Sequence, residues 1–212
     1  MPVLEPVLVG RHVQLEPLQR RHLPGLVAAS AGDPELFRMS KVPVGDAEMS
    51  RYIDAATAAR DAGHAAPFAV IRLDDEAVIG STRLFDLEWW SWPESHPRHR
   101  HDGPDTCEIG YTWLTPSAIR TGANTEMKRL TLTLAFETWQ VQSVCFHTDA
   151  RNERSRRALS RIGARYEGIL RSHRLAADDR PRDSARFAIT AADWPAVEAH
   201  LAELSRDRLL VS

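Results

Sequence analysis

The sequence predicts an α/β (α+β) chain whose strands have both antiparallel and parallel neighbours, and three stretches carry that expectation. Pro67 to Leu73 (PFAVIRL) and Ala77 to Phe85 (AVIGSTRLF) flank the polar turn Asp74-Asp75-Glu76, which makes them an antiparallel hairpin. Glu108 to Glu137 begins with strand-like alternation, turns at Thr121-Gly122-Ala123-Asn124-Thr125 and closes as a long helix. A further strand and helix follow at once, and such a strand–helix–strand–helix run implies parallel neighbours.

The elements read in order as follows. His12 to Leu18 (HVQLEPL) alternates and ends at Pro17, a first strand. His22 to Ser30 reads as a short helix stopped by Gly32 and Asp33-Pro34. Met49, Tyr52, Ile53 and Ala56 then recur at helical spacing, with Asp46 as cap and Gly63 as terminator. After the hairpin, Trp89 to Gly103 (WWSWPESHPRHRHDG) has no period and is expected to be a long loop. Trp89, Trp90 and Trp92 must either cap the core edge or line a groove.

Asp105 to Leu114 is the central strand, with Cys107, Ile109, Tyr111 and Trp113 expected on one face and Glu108, Gly110 and Thr112 on the other. The helix from Thr125 to Trp139 is apolar over a broad arc and therefore covered. Gln142 to Asp149 is a strand and Arg151 to Gly163 a helix. Ala164 to Leu175 and Ser184 to Ile189 are two more strands, joined by Asp178-Asp179-Arg180-Pro181. Thr190 with Asp193 forms a capping box ahead of a last amphipathic helix marked by Trp194, Val197, Leu201 and Leu204.

With 212 residues, 43% of them hydrophobic and 26% charged, the expectation is one globular domain spanning 1–212. A net charge of −2 argues against nucleic acid as a partner. No signal peptide and no membrane-length apolar run is visible, so a cytoplasmic protein is expected. Cys107 and Cys145, the two cysteines, read as free thiols. His96, His99 and His101 fit no zinc spacing, and no metal is expected.

Two features invite chemistry. A strand that ends in a glycine-bearing turn opening a helix leaves backbone N–H groups pointing one way. Such a turn either simply reverses the chain or seats a phosphate. It lacks the Gly-Lys-Ser/Thr and the further glycines of nucleotide-binding fingerprints. Glu108, a carboxylate in a mostly apolar strand, is either a solvent or edge residue or else buried, and then paired or raised in pKa, as a general base would be. Downstream, Ser155, Ala158, Leu159 and Ile162 form a helical stripe, and Asn152 can cap its start. Arg151, Arg154, Arg156 and Arg157 crowd a terminus that favours anions, a conflict that a nearby anionic ligand would relieve unless the arginines are simply a solvated face.

Three stretches, EIGYTWL, RTGANTEMKRLTLTLAFE and FHTDARNERSRRALSRIGARYEGILR, together resemble the GNAT superfamily of acyl-CoA-dependent N-acyltransferases, in the branch that includes ribosomal-protein N-terminal acetyltransferases. The resemblance implies a single GNAT-type domain: a mixed, mostly antiparallel central sheet splayed at the cofactor, with helices on both faces. It implies that acetyl-CoA is the cosubstrate, its pyrophosphate on Arg120, Thr121, Gly122, Ala123, Asn124 and Thr125. The pantetheine arm would lie along Trp113 and Leu114, beside Asn152 and Ser155. Two positions depart from the family pattern. Anchored on Gly122, the loop has Ile119 and Asn124 where relatives carry Gln or Arg and Gly or Ala. Leu159 stands where many relatives place a tyrosine that protonates the departing thiolate.

The implied reaction is acetyl transfer to a primary amine, a protein or peptide N-terminus or a small molecule, by direct attack through a tetrahedral intermediate. Glu108 would be the base, a backbone N–H near Trp113 would meet the oxyanion, and Ser155 would protonate the thiolate. Arg83, Asp86 and the Trp89, Trp90, Trp92 loop are the expected acceptor contacts. A non-catalytic acyl-CoA-binding module and a transferase for longer acyl groups are the rival readings. Relatives often pair as homodimers.

Overall fold

The computed structural model describes residues 5–32 and 34–207. Eight strands form one sheet: β1 (Leu8–Val9), β2 (Val13–Pro17), β3 (Ala65–Arg72), β4 (Val78–Glu88), β5 (Thr106–Leu114), β6 (Ser143–Asp149), β7 (Arg165–Leu175) and β8 (Pro181–Thr190), in the order β1-β2-β3-β4-β5-β6-β8-β7. All neighbours are antiparallel except β5 and β6. The helices are α1 (Leu23–Ser30), α2 (Pro34–Phe37), α3 (Gly45–Asp61), α4 (Ala123–Thr133), α5 (Glu153–Arg161) and α6 (Trp194–Asp207).

Alternation along the strands sorts these helices onto two faces. In β3, Phe68 and Val70 join the larger core with Met127, Leu132, Leu159, Ile162, Trp194 and Leu201, so α4, α5 and α6 cover that face. Ala69 between them joins Leu26, Met49, Ile53 and Ala56, so α1 and α3 cover the other. The expected mixed, mostly antiparallel sheet with helices on both faces is therefore the observed one.

The local chemistry explains most boundaries. Arg72 grips Asp75 through two hydrogen bonds of 2.9 and 2.6 Å, and Asp75 also accepts from the Ala77 amide, which fixes the β3–β4 turn. Thr190 and Asp193 cap α6 reciprocally, at 3.2 and 3.3 Å from amide to side chain. Val44, rather than Asp46, is the residue before α3, and Asp46 lies in its first turn. Helix α4 begins at Ala123, two residues before the expected start, and continues as a π-turn over Leu134–Thr138. The short β1 and α2 were not foreseen, because two strand residues and one helical turn carry no readable period.

The expected face alternation of β5 is wrong beyond Gly110. Ser81 pairs with Trp113 but Arg83 pairs with Gly110, so Tyr111 and Thr112 both stand opposite Thr82, and Tyr111 is left-handed at φ 50°. This bulge turns the strand over. Cys107 and Ile109 face α4, Trp113 faces α1 and α3, and Leu114 returns to the α4 side. Pairing of β5 with β6 ends with Glu108 against Cys145, so the two strands part there and leave a fork.

Glu126, in the first turn of α4, is buried and accepts the amides of Arg11, His12 and Val13 at 2.7, 2.8 and 2.9 Å. Those three charge-assisted bonds tie the β1–β2 turn to α4. Glu126→Ala is expected to cost about 3 kcal/mol, or a Tm drop of roughly 6–12 °C in thermal denaturation. A drop under about 2 °C would show that water replaces the carboxylate.

Candidate active site

Gly122 is the residue before α4 and has φ 102° and ψ −21°, a conformation open chiefly to glycine. Thr121 spends its hydroxyl within the turn, donating to the Ala118 carbonyl at 2.8 Å and accepting the Ala123 amide at 3.3 Å. The amides of Thr121, Gly122, Asn124 and Thr125 meet no acceptor among the described residues. Unpaired N–H groups at the positive end of an eleven-residue helix are a seat for an anion. A small cavity beside them is lined by Arg11, His12, Thr121, Gly122, Thr125 and Glu126, closed by Leu204 and Ser205 of α6. Arg161 of α5 reaches the same turn, donating to the Thr125 hydroxyl at 3.0 Å. Arg120, expected at the phosphate, is exposed and left-handed at φ 66°.

Glu108 lies at the base of the fork and is 1% exposed. Arg174 from β7 donates to both of its oxygens, at 3.0 and 2.7 Å, and His147 from β6 donates through Nδ1 at 2.8 Å. Burial alone would raise this carboxyl, but the His147 and Arg174 hydrogen bonds and the guanidinium charge hold it below the ordinary carboxylate range. Glu108 is thus buried and paired rather than raised in pKa. Because an ionised carboxylate only accepts, His147 carries a proton on Nδ1, and its buried Nε2 has no partner among the described residues. Glu108, Cys145 and His147 place ligand-type atoms within 4.8 Å of one another. Protein donors already hold the carboxylate, and burial pushes the Cys145 thiol up to about 12, so the cluster is an ion-pair network and not a thiolate site.

On the opposite face of the sheet, Lys128 of α4 points at the fork. Its Nζ donates to the Thr112 hydroxyl at 3.0 Å, sits 5.4 Å from the Phe146 ring centroid, and has no carboxylate within salt-bridge reach among the described residues. Desolvation brings its pKa down to about 7, with the Glu108 charge opposing. Sequence reading missed Lys128, because it lies in an amphipathic stretch where a lysine ordinarily means the solvent side.

The family model for the Acetyltransferase (GNAT) domain matches residues 12–165. The chain belongs to the GNAT acetyltransferase family. Among solved structures, a GCN5-related N-acetyltransferase from Brucella melitensis is 27% identical at a TM-score of 0.80, covering 97% of this chain and 87% of that one. A candidate acetyltransferase from T. thermophilus is 31% identical at 0.75, covering 96% and 98%. The Mycobacterium smegmatis RimJ, solved with CoA-disulfide, shares the fold at 20% identity and 0.75, covering 92% and 90%. No curated protein matches the chain.

Within this GNAT fold the remaining expected residues separate. Asn152 caps α5, its side chain accepting the Ser155 amide at 3.0 Å, and the half-buried Ser155 hydroxyl has no partner among the described residues. Leu159 is buried packing. The arginine crowd is relieved by the protein itself: Arg151 pairs with Asp149, Arg154 donates to the Leu36 carbonyl, Arg156 to the Ala150 carbonyl, and Arg157 pairs with Glu153. Trp89, Trp90 and Trp92 gather at the other end of β5, where Asp105 accepts the Trp90 amide and the Trp92 indole at 2.8 and 2.9 Å. His96 stacks on Trp92, His99 bonds the Trp92 carbonyl and His101 the Trp139 carbonyl. The loop's polar contacts thus hold itself and the sheet end. Arg83 and Asp86 lie on the strand beside Glu108, and Asp86 pairs with Arg174 at 2.9 Å. Among the described residues no helix is long and apolar enough to cross a membrane.

Proposed function

We propose that this GNAT protein transfers an acetyl group from acetyl-CoA to a primary amine, a peptide N-terminus or a small molecule. The observation that carries the reading is the β5–β6 fork, with unpaired amides at Gly122 on one side of it and a buried carboxylate, Glu108, at its base. The Thr121, Gly122, Asn124 and Thr125 amides hold the diphosphate, and Arg11 and Arg161 supply the positive charge that Ile119 cannot. The β5 backbone from Ile109 to Leu114 has no strand on its β6 side, so the Trp113–Leu114 groups there are free to take the pantetheine arm and, at an N–H, the developing oxyanion.

Glu108 stays ionised at neutral pH and accepts, through a water because its oxygens are already occupied, the proton that the neutral amine sheds as it attacks and its N–H becomes acidic. On the cofactor face, Lys128 is better suited than Ser155 to the departing thiolate. A thiol has a pKa of about 8.5, so an ammonium near 7 can protonate its thiolate, whereas a serine hydroxyl cannot do so downhill. Ser155→Ala is therefore expected to change turnover by less than about 3-fold; a ~10²-fold loss would return the acid role to Ser155.

Thiol release from acetyl-CoA, followed over a panel of amines and N-terminal peptides, tests the reaction itself; no release with any of them, while coenzyme A still binds, would favour a binding module. Gly122→Val tests the seat. A β-branched residue is strained at φ 102°, and the dissociation constant for coenzyme A is expected to rise about 10-fold or more with the fold intact. Unchanged affinity would move the diphosphate elsewhere.

A further inference from the structure

The face of the sheet opposite α4 carries a second unpaired cation. Arg83 of β4 stands beside Gly110 and is only 7% exposed. Its guanidinium lies 4.2 Å from the Tyr111 ring centroid and 5.3 Å from that of Tyr52 on α3. No carboxylate, hydroxyl or carbonyl among the described residues accepts any of its N–H groups, and Nε is buried without a partner. The Tyr52 and Ser81 hydroxyls are already engaged: Tyr52 bonds Ser81 at 3.0 Å, and Ser81 donates to the Phe68 carbonyl at 3.0 Å. The neighbouring Arg174, by contrast, has both Glu108 and Asp86.

A buried arginine normally has an anionic partner. Here the guanidinium has two tyrosine rings beside it and no protein acceptor among the described residues for its N–H groups, the groups that recognise a carboxylate bidentately. Tyr111, edge-on to Phe85, is half-exposed and lies between Arg83 and solvent. Phe85 pairs with Glu108 and Arg83 with Gly110, so the two charged side chains share one face, two residues apart along the strand, about 7 Å.

We propose that the acceptor amine bears a carboxylate, and that Arg83 receives this carboxylate while the amine faces Glu108. The placing of the amine rests on the acetyl-transfer reading; the binding of the anion does not. The acceptor is then an acidic amino acid or a peptide beginning with one, with the side-chain carboxylate in the Tyr52–Arg83–Tyr111 slot.

The test uses pairs that differ only in carboxylate against carboxamide: glutamate with glutamine, and the dipeptides Glu-Ala with Gln-Ala. Each is titrated calorimetrically into the CoA-loaded protein and assayed separately for thiol release with acetyl-CoA. In the wild type the acid of at least one pair is expected to bind about 10- to 100-fold more tightly than its amide. Arg83→Met should bring that ratio to about 1, and Arg83→Lys, which keeps the charge but not the planar fork, should recover part of it. The free amino acid and the dipeptide distinguish the two sources of the carboxylate. A wild-type ratio near 1 in every pair, or the same preference in Arg83→Met, overturns the proposal. Acid preference with no thiol release from these acids or from any other amine of the panel would sink the acetyl-transfer reading and leave this one standing; thiol release without acid preference would do the reverse.

Discussion

Glu108→Gln is expected to lower turnover roughly 10²- to 10⁴-fold per CoA-binding site and to destabilise the fold by about 1–3 kcal/mol. The two effects share one cause. Arg174 and His147 both direct donors at this carboxylate, and the amide that replaces it removes the charge that both were placed to meet. The Arg174 guanidinium would keep Asp86 as a partner, so the loss stays below that of a wholly abandoned cation. The sign of the pH dependence follows from the depressed folded pKa. Glu108 adds stability at pH above the ordinary carboxylate value of 4.5, and that contribution is lost as pH falls through the lower folded value. Urea unfolding followed from pH 7 downward should show wild type and Glu108→Gln converging as the pH falls through the folded value. Turnover is counted against sites that still bind coenzyme A, so unfolded protein does not enter the rate. Wild-type turnover per site would leave Glu108 a purely structural ion pair.

The parts of this site that could be read from the sequence are those made by neighbours in the chain. Gly122 and the helix after it, Asn152 as a cap for Ser155, and the Asp74–Glu76 hairpin turn all depend on contacts within a few residues. Glu108 stood out because a carboxylate in an apolar strand is improbable without a partner. The partners themselves were invisible: Arg174 is 66 residues away and sits on the far edge strand, reaching back over β8 and β6. Arg11 lies beside Gly122 only because Glu126 holds three amides across 113 to 115 residues. The error at Tyr111 has a different origin. Alternation assumes one residue per strand position, and a bulge adds one without leaving a composition signal. The arginines around α5 were legible as a charge problem, and most of its solution is local: Asp149, Ala150 and Glu153 lie two to six residues from the arginines they meet, while the Leu36 carbonyl that takes Arg154 is 118 residues away and depended on the tertiary fold.

Lys128→Met is expected to make the protein more stable and less active at once. The unfolded amine keeps its proton to about 10.5, while burial lets the folded one keep it only to about 7. Between those values the unfolded chain binds more protons, so stability rises with pH, by up to about 1.4 kcal/mol per unit. Below pH 7 the full penalty is present; above 10.5 it has gone. Methionine has a similar length and no charge to desolvate, and Thr112 retains the Thr82 hydroxyl at 2.8 Å. The variant should therefore gain about 1–4 kcal/mol at pH 7 and lack the wild-type rise in stability between pH 7 and 9 in urea unfolding, below the range where the buried thiols titrate. Turnover should fall about 10²-fold, and the alkaline limb of the wild-type kcat/KM profile, set by loss of the Lys128 proton near pH 7, should vanish. On the proposed reading, a buried amine without a carboxylate is kept at the fork against its desolvation cost because the reaction needs its proton there. A gain in stability with turnover unchanged would remove Lys128 from the chemistry, and a loss of stability would show that the Thr112 and Phe146 contacts outweigh the buried charge.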